Sequence, residues 1–326
     1  MSLRRRDFFT LLGGAAAAWP LAARAQQQAM PVVGYLDATG APDGTGPFLK
    51  GLSETGFIEG RNVAIEIRAA DNDYTRLPEL AADLVRHRVD VIYANGGTVA
   101  ALAAKSATTS IPVVFAIGDD PVDSGLVASL SRPGGNVTGI AFLSTELGPK
   151  RLGLLNALVP AATRYALLVN PAAPNTKSFV AGFMAAADSI GRHIEVFNAS
   201  SIREIDTAFE EIVRSGADAV IVGSTSLLNS RKVQLATLAS HYRLPAMYYD
   251  RRVVEVGGLM SYGADILDAV RQAGVYVGRI LKGVKPANLP VMQAAKFELA
   301  INLETAKTLG ITVPPSILAI ADEIIE

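Results

Sequence analysis

Asn95-Gly96-Gly97-Thr98 stands where a short apolar run, Val89-Asp90-Val91-Ile92-Tyr93, gives way to an alanine-rich helical pattern. Paired glycines at a strand-to-helix turn let the backbone approach a ligand, and the helix N-terminus favours negative charge. The chemistry is anion holding, either of a nucleotide phosphate or of a solute carboxylate. Ser224-Thr225 repeats the arrangement after Ala219-Val220-Ile221-Val222. Polar residues follow other apolar runs too: Asp37, Asp119-Asp120, Asn170 and Asn175 around Pro171-Ala172-Ala173-Pro174, and Asp250 before Arg251-Arg252.

The patterns required for catalysis are missing. A dinucleotide site needs G-x-G-x-x-G after the first strand, which here ends Asp37-Ala38-Thr39-Gly40. A phosphate loop needs a glycine before its lysine, and Ala104 precedes Lys105. Met260-Ser261-Tyr262-Gly263 approaches a nucleophile elbow, but Leu259 replaces its first glycine. None of the three histidines, His87, His193 and His241, follows Ser261. No histidine pair has metal-ligand spacing, and Asp71-Asn72-Asp73 lacks the glycine and distal glutamate of a calcium loop. Asp119 and Asp120, being adjacent, point apart and make a weak acid–base pair. We therefore expect no catalytic residue, no metal and no cofactor. An exported α/β hydrolase using Ser261 is the weakest alternative.

The chain has 326 residues, half of them hydrophobic, a net charge of -1 and no cysteine. The length suggests two domains. Near-neutral charge gives no nucleic-acid footprint, and the lack of cysteine excludes disulfides, thiolate metal sites and lipid attachment at an N-terminal cysteine. At the N-terminus, Arg5-Arg6-Asp7-Phe8-Phe9 precedes an apolar run from Leu11 to Ala22, and Ala23-Arg24-Ala25 supplies the small residues that a signal peptidase cuts. Residues 1–25 read as a signal peptide resembling the twin-arginine type. The expectation is cleavage near Ala25 and a periplasmic protein without a stable membrane anchor.

Positioning these residues requires alternating strands and helices. Strands are expected at Val32–Leu36, Val63–Ile67, Val89–Tyr93, Val113–Ile117, Val137–Phe142, Tyr165–Val169, Ile194–Phe197, Ala219–Val222, Ala246–Tyr249 and Leu259–Tyr262. Helical periodicity lies between them, as in Leu77–Arg88, Gly148–Leu158, Thr176–Ile190, Ile202–Ser215, Leu228–Tyr242 and Ile266–Leu281. This order predicts an α/β fold of doubly wound parallel sheets. The chain also repeats itself loosely: Val32–Asp37 is echoed by Tyr165–Asn170, Asp90–Thr98 by Asp218–Ser226, and Ile111–Phe115 by Leu244–Tyr248. Two similar lobes follow, and ligands of such sheets bind beyond the carboxyl ends of the strands.

Several segments resemble the ABC-transporter substrate-binding proteins that include the tryptophan-binding type, on the type I periplasmic-binding fold. They are Gly51-Leu52-Ser53-Glu54-Thr55-Gly56-Phe57-Ile58-Glu59-Gly60-Arg61-Asn62-Val63, Asp120-Pro121-Val122, Gly125–Leu130, Arg132-Pro133-Gly134-Gly135-Asn136-Val137-Thr138-Gly139, Gly257–Gly263 and Val277–Gly283. The resemblance implies a hinged clamp, with lobe one at 31–143 plus 259–285 and lobe two at 146–257 plus 286–326. It implies a small carboxylate-bearing solute (an amino acid or an aromatic or organic acid) handed to a membrane permease driven by a separate ATPase. A sensor presenting the closed form to a signalling partner is the alternative. Asn95, Gly96, Gly97 and Thr98 match the family's pocket loop, which favours a carboxylate over a phosphate, with Thr98 donating its hydroxyl. Asp120, beside Asp119, would accept from a ligand ammonium. Asn170, Asn175, Ser224 and Thr225 would bond the solute from lobe two, Asp37 and Asp250 would lie at cleft level, and Tyr35, Tyr249 and Tyr262 would offer aromatic faces. Gly223–Asn229 departs from the lobe-two loop of the tryptophan-binding type, and the only tryptophan, Trp19, lies in the export segment.

Overall fold

The computed structural model describes residues 30–40, 45–174, 176–294 and 297–326. The export segment and Asn175 lie outside the described residues.

The first half builds strands β1 (Val32–Asp37), β2 (Ala64–Ala69), β3 (Val91–Asn95), β4 (Val113–Ile117) and β5 (Val137–Ala141), with helices α1 (Thr45–Glu54), α2 (Leu77–Arg86) and α3 (Thr98–Ala107) between them. The chain continues through α4 (Gly148–Leu158), β6 (Arg164–Val169), α5 (Thr176–Ser189), β7 (His193–Asn198), α6 (Ile202–Ser215) and β8 (Ala219–Val222). After these come α7 (Ser226–Asn229), α8 (Lys232–His241), β9 (Ala246–Tyr248), α9 (Arg251–Glu255) and β10 (Met260–Ala264). The last stretch holds α10 (Ile266–Leu281), β11 (Met292–Gln293), β12 (Phe297–Asn302), α11 (Leu303–Thr308), α12 (Pro315–Leu318) and β13 (Glu323–Ile325).

Two sheets result, ordered β11-β5-β4-β3-β1-β2 and β13-β12-β10-β9-β8-β6-β7. Their common part is the same in both: β2-β1-β3-β4-β5 against β7-β6-β8-β9-β10, strand for strand. The loose sequence repeat therefore corresponds to a repeated topology. Side-chain alternation explains why each sheet carries two cores. In lobe one, Val91 and Tyr93 point into the cluster under α1 and α10, whereas Ile92 and Ala94 point into the cluster under α2 and α3. Strands buried on both faces read as continuous apolar runs, which is why they are legible in sequence.

Three features differ from the sequence expectation. The second sheet is mixed, because β12 runs antiparallel to β10. The lobe boundaries shift as well: Met260 and Ser261 pair in parallel with Met247 and Tyr248, so β10 belongs to lobe two rather than lobe one. The crossing falls instead at Asp265, whose side chain accepts from Asp268 N and caps α10. Residues 286–294 stay with lobe one, since Leu289 is buried in its core and Met292 pairs with Ile140. Finally, the expected helix Leu228–Tyr242 is broken, with Ser230 and Arg231 separating α7 from α8. No helix among the described residues is long and apolar enough to cross a membrane.

Candidate functional site

The strand-end loops of the two sheets face one another across a cavity enclosing about 1060 Å³ of non-atom space, part of it open to solvent. Lobe one contributes Asn95, Gly96, Gly97, Thr98 and Asp119 to its lining. Lobe two contributes Ser224, Thr225, Ser226 and Asn229, with Lys232 and Arg252 as cations. Aromatic surface comes from Tyr74, Phe142 and Tyr249, and Ile266 and Val270 of α10 form an apolar wall at the crossing between lobes.

The turn at Gly96-Gly97 depends on glycine. Gly96 has φ 88° and Gly97 has φ 98°. A Cβ on Gly96 would lie 2.8 Å from Ala38 Cβ. Gly97 occupies the N-cap position of α3 and has no side chain to accept from the first turn, so the helix terminus opens toward the cavity. The Thr98 hydroxyl donates to the Asp119 carboxylate. The sequence reading gave that hydroxyl to a ligand carboxylate. The structure gives it to Asp119.

Beneath the turn lies a buried polar layer. The Asp37 carboxylate, 3% exposed, accepts from Thr39 N at 2.9 Å, Thr39 Oγ1 at 3.0 Å and Asn95 Nδ2 at 3.4 Å. Burial raises its pKa above the ordinary carboxylate value, and the Thr39 and Asn95 hydrogen bonds oppose that shift. Tyr93 donates its hydroxyl to Asn95 Oδ1 at 3.1 Å. Asn95 thus reaches the cavity held from behind by Asp37 and Tyr93.

Lobe two holds its cation in a comparable way. Asp250 is 2% exposed, N-caps α9 by accepting from Arg252 N at 3.0 Å, and pairs with the Arg252 guanidinium at 2.6 Å. Tyr249 is backed by Arg151, whose guanidinium lies 5.9 Å from the ring centre. Arg151 is 1% exposed and donates Nε–H to the Tyr262 carbonyl at 2.7 Å. Burial pulls its pKa down to about 10. Nothing in the local sequence around Arg151 marks it as a buried cation behind the site.

The lobes also touch directly. Ser226 Oγ donates to the Gly96 carbonyl. Leu227 N–H donates to the Tyr74 hydroxyl at 3.2 Å.

Of the sequence-chosen residues, Asn95, Gly96, Gly97, Thr98, Asp119, Ser224, Thr225 and Tyr249 line the cavity. Six others lie elsewhere. Tyr35 is a core residue, edge-on to Phe48 and Tyr93 at ring separations of 5.5 and 5.0 Å, because its strand position faces the α1 side. Asp120 turns away and accepts from Val122 N at 2.6 Å and Asp123 N at 3.2 Å, closing its own turn. Asn170 is 1% exposed and folds its loop by accepting from Ala172 N at 2.9 Å. Asp250 sits behind Arg252 rather than in the lining. Tyr262 packs toward Phe297, with ring centroids 6.4 Å apart. Asp37 supports the turn from below. Tyr74, Phe142, Ser226 and Lys232 were missed. Tyr74 follows a turn made by Asp71 and Asn72, both left-handed at φ 56° and 66°, which sequence periodicity does not register.

ABC transporter substrate binding proteins match residues 35–325 of the chain as a family. The chain belongs to this family. Its members are solute-binding proteins rather than enzymes, work with a membrane permease and are typically extracytoplasmic. A tyrosine-binding protein of Clostridioides difficile (strain R20291) is 30% identical over 263 residues, covering 80% of this chain and 75% of that protein. A conserved domain protein from Vibrio cholerae superposes with a TM-score of 0.83 at 28% identity, covering 90% of this chain and 99% of that one. An ABC domain from Streptococcus pneumoniae in complex with L-Trp gives 0.80 at 28% identity with the same coverages. The ligand-free, open form of a substrate-binding protein with adhesive properties from Clostridium difficile gives 0.63 at 25% identity. Leucine- and myo-inositol-binding proteins share the fold at lower identity.

Proposed function

We propose that the protein is the solute-binding component of an ABC importer and clamps an amino acid between its lobes. The observation that carries the reading is the charge arrangement in the cavity. The α3 N-terminus, opened by Gly97, suits a carboxylate. The Asp119 carboxylate beside it suits an ammonium. Tyr74, Phe142 and Tyr249 suit an apolar or aromatic side chain. The tyrosine-binding relative and the L-Trp complex support the same solute class.

Residues 30–40, 45–143 and 265–294 form one half of the clamp, and 144–174, 176–264 and 297–326 the other. Their direct contacts, Ser226 to Gly96 and Leu227 to Tyr74, close the cleft over the solute. The higher similarity to the L-Trp-bound domain than to the open, ligand-free relative accords with a closed form here. The closed form delivers its solute to a permease driven by a separate ATPase, and residues 1–25 direct export to the periplasm.

The test is a thermal-shift panel of amino acids, aromatic acids, aliphatic acids, sugars and nucleotides. A solute that binds only the folded protein at one hundred times its Kd adds about 2.7 kcal/mol of stability. We expect the shift with amino acids, aromatic ones foremost. A shift with nucleotides alone would overturn the reading.

A further inference from the structure

Asp37 and Asn95 stand opposite each other at the ends of neighbouring strands. β1 and β3 run parallel, with Tyr35 beside Tyr93 and Asp37 beside Asn95. Side chains two residues apart share one face of a strand. The polar pair therefore continues the face on which the two tyrosine rings pack. This register brings Asp37 Oδ1 and the Tyr93 hydroxyl to the Asn95 carboxamide, at 3.4 and 3.1 Å.

These contacts fix which way the carboxamide turns. An asparagine side chain carries one acceptor oxygen and a nitrogen with two hydrogens to donate. Asp37 Oδ1 takes the Thr39 backbone N–H, a group that can only donate, and the Thr39 hydroxyl as well. That oxygen is an acceptor, so it must meet the nitrogen of Asn95 and not its oxygen. Tyr93 donates to the Asn95 oxygen. Turning the amide over would set its oxygen against Asp37 Oδ1. One N–H of Asn95 Nδ2 remains, and Asn95 lines the cavity immediately before the Gly96-Gly97 turn.

We propose that Asp37 is a positioning residue, which holds Asn95 as a donor-only group for the solute carboxylate. The inference rests on the amino-acid reading of the cavity. It adds a side-chain donor beside the α3 turn and takes Asn95 away from the ammonium, which stays with Asp119. A carboxamide free to turn could serve either end of an amino acid. Held this way, it serves only the acid end.

The experiment is isothermal titration of wild type, Asn95→Ala, Asp37→Ala and Asp37→Asn with L-tyrosine, its decarboxylated analogue tyramine and its deaminated analogue, hydroxyphenylpropionic acid. In Asn95→Ala we expect the preference for L-tyrosine over tyramine to shrink by about tenfold, as for a lost hydrogen bond to a charged group. The preference over the deaminated acid should stay. Asp37→Ala should shrink the same preference by a smaller factor. Asp37→Asn keeps an oxygen where the Thr39 and Asn95 donors converge and should restore it. Where Asp37→Ala does not fold, Tyr93→Phe, which removes the donor to the Asn95 oxygen and keeps the ring, should lower the same preference. Asn95→Ala that keeps the preference over tyramine, or loses the preference over the deaminated acid instead, overturns the donor role and leaves the amino-acid reading intact. Equal weakening of all three ligands in the Asp37 or Tyr93 variant overturns the positioning role. A wild type that prefers L-tyrosine to neither analogue overturns the amino-acid reading and this inference with it.

Discussion

Replacing Gly97 by alanine perturbs the site in two separable ways. Gly97 lies at φ 98°, ψ -174°, a backbone region occupied almost solely by glycine. A side chain there costs about 2 kcal/mol in either lobe arrangement. For a chain of this size that lowers Tm by roughly 3 °C. The second effect needs the lobes together. An added Cβ would lie 3.1 Å from Ser226 Oγ, tight enough that Ser226 must give way. Ser226 is the lobe-two residue that donates to the neighbouring Gly96 carbonyl. Losing that hydrogen bond costs about 1 kcal/mol, or roughly fivefold in Kd. Differential scanning calorimetry reads the first effect, and isothermal titration with L-tyrosine reads the second. Gly182→Ala is the control. It lies exposed in α5, where a Cβ meets nothing within 4 Å, and it should add about 0.5–1 kcal/mol without touching affinity. Unchanged Tm and unchanged affinity in Gly97→Ala would refute the reasoning. A lowered Tm with full affinity would show that the Ser226 contact is not part of solute capture.

Asp250→Ala removes the carboxylate that pairs with Arg252 and the α9 cap, so it should cost about 3 kcal/mol and lower Tm by roughly 4–5 °C, measured by thermal melt. Asp37→Asn tests the buried carboxylate. Because burial raises the pKa of Asp37, ionising it opposes folding. That penalty is absent below the unfolded-state pKa, grows as pH rises from there, and is complete above the raised folded-state pKa. The Tm of Asp37→Asn relative to wild type should therefore be highest at neutral pH and decline as pH is lowered toward 4, with a constant difference counting against the desolvation argument.

The central repeated strands were legible because they are buried on both faces, so Val113–Ile117 and Ala219–Val222 appear as unbroken apolar runs. The last three strands were not. Met292–Gln293 is two residues long, Phe297–Asn302 is interrupted by Glu298 and ends at Asn302, and Glu323–Ile325 is an edge with partial burial. Within the site, the Asn95–Thr98 turn announced itself by glycine spacing, and Asp119 by its place after a strand. Which of two adjacent aspartates faces the cavity depends on backbone direction in a turn, and sequence does not fix it. Tyr35 and Tyr93 share a face of neighbouring strands, so sheet register buries them together. Lys232 opens α8 just after the break at Ser230-Arg231, where helical periodicity runs on without interruption.

The central claim is that the α3 turn and Asp119 hold the two charges of an amino acid. It is tested most directly by titrating wild type and Asp119→Asn with L-tyrosine, with its decarboxylated analogue tyramine and with its deaminated analogue, hydroxyphenylpropionic acid. The account predicts that wild type binds L-tyrosine at least tenfold more tightly than either analogue, since a hydrogen bond to a charged group is worth about 1.5–3 kcal/mol. It also predicts that Asp119→Asn loses the preference over the deaminated acid while keeping the preference over the amine. Equal binding of all three compounds by wild type, or an unchanged pattern in Asp119→Asn, would contradict it.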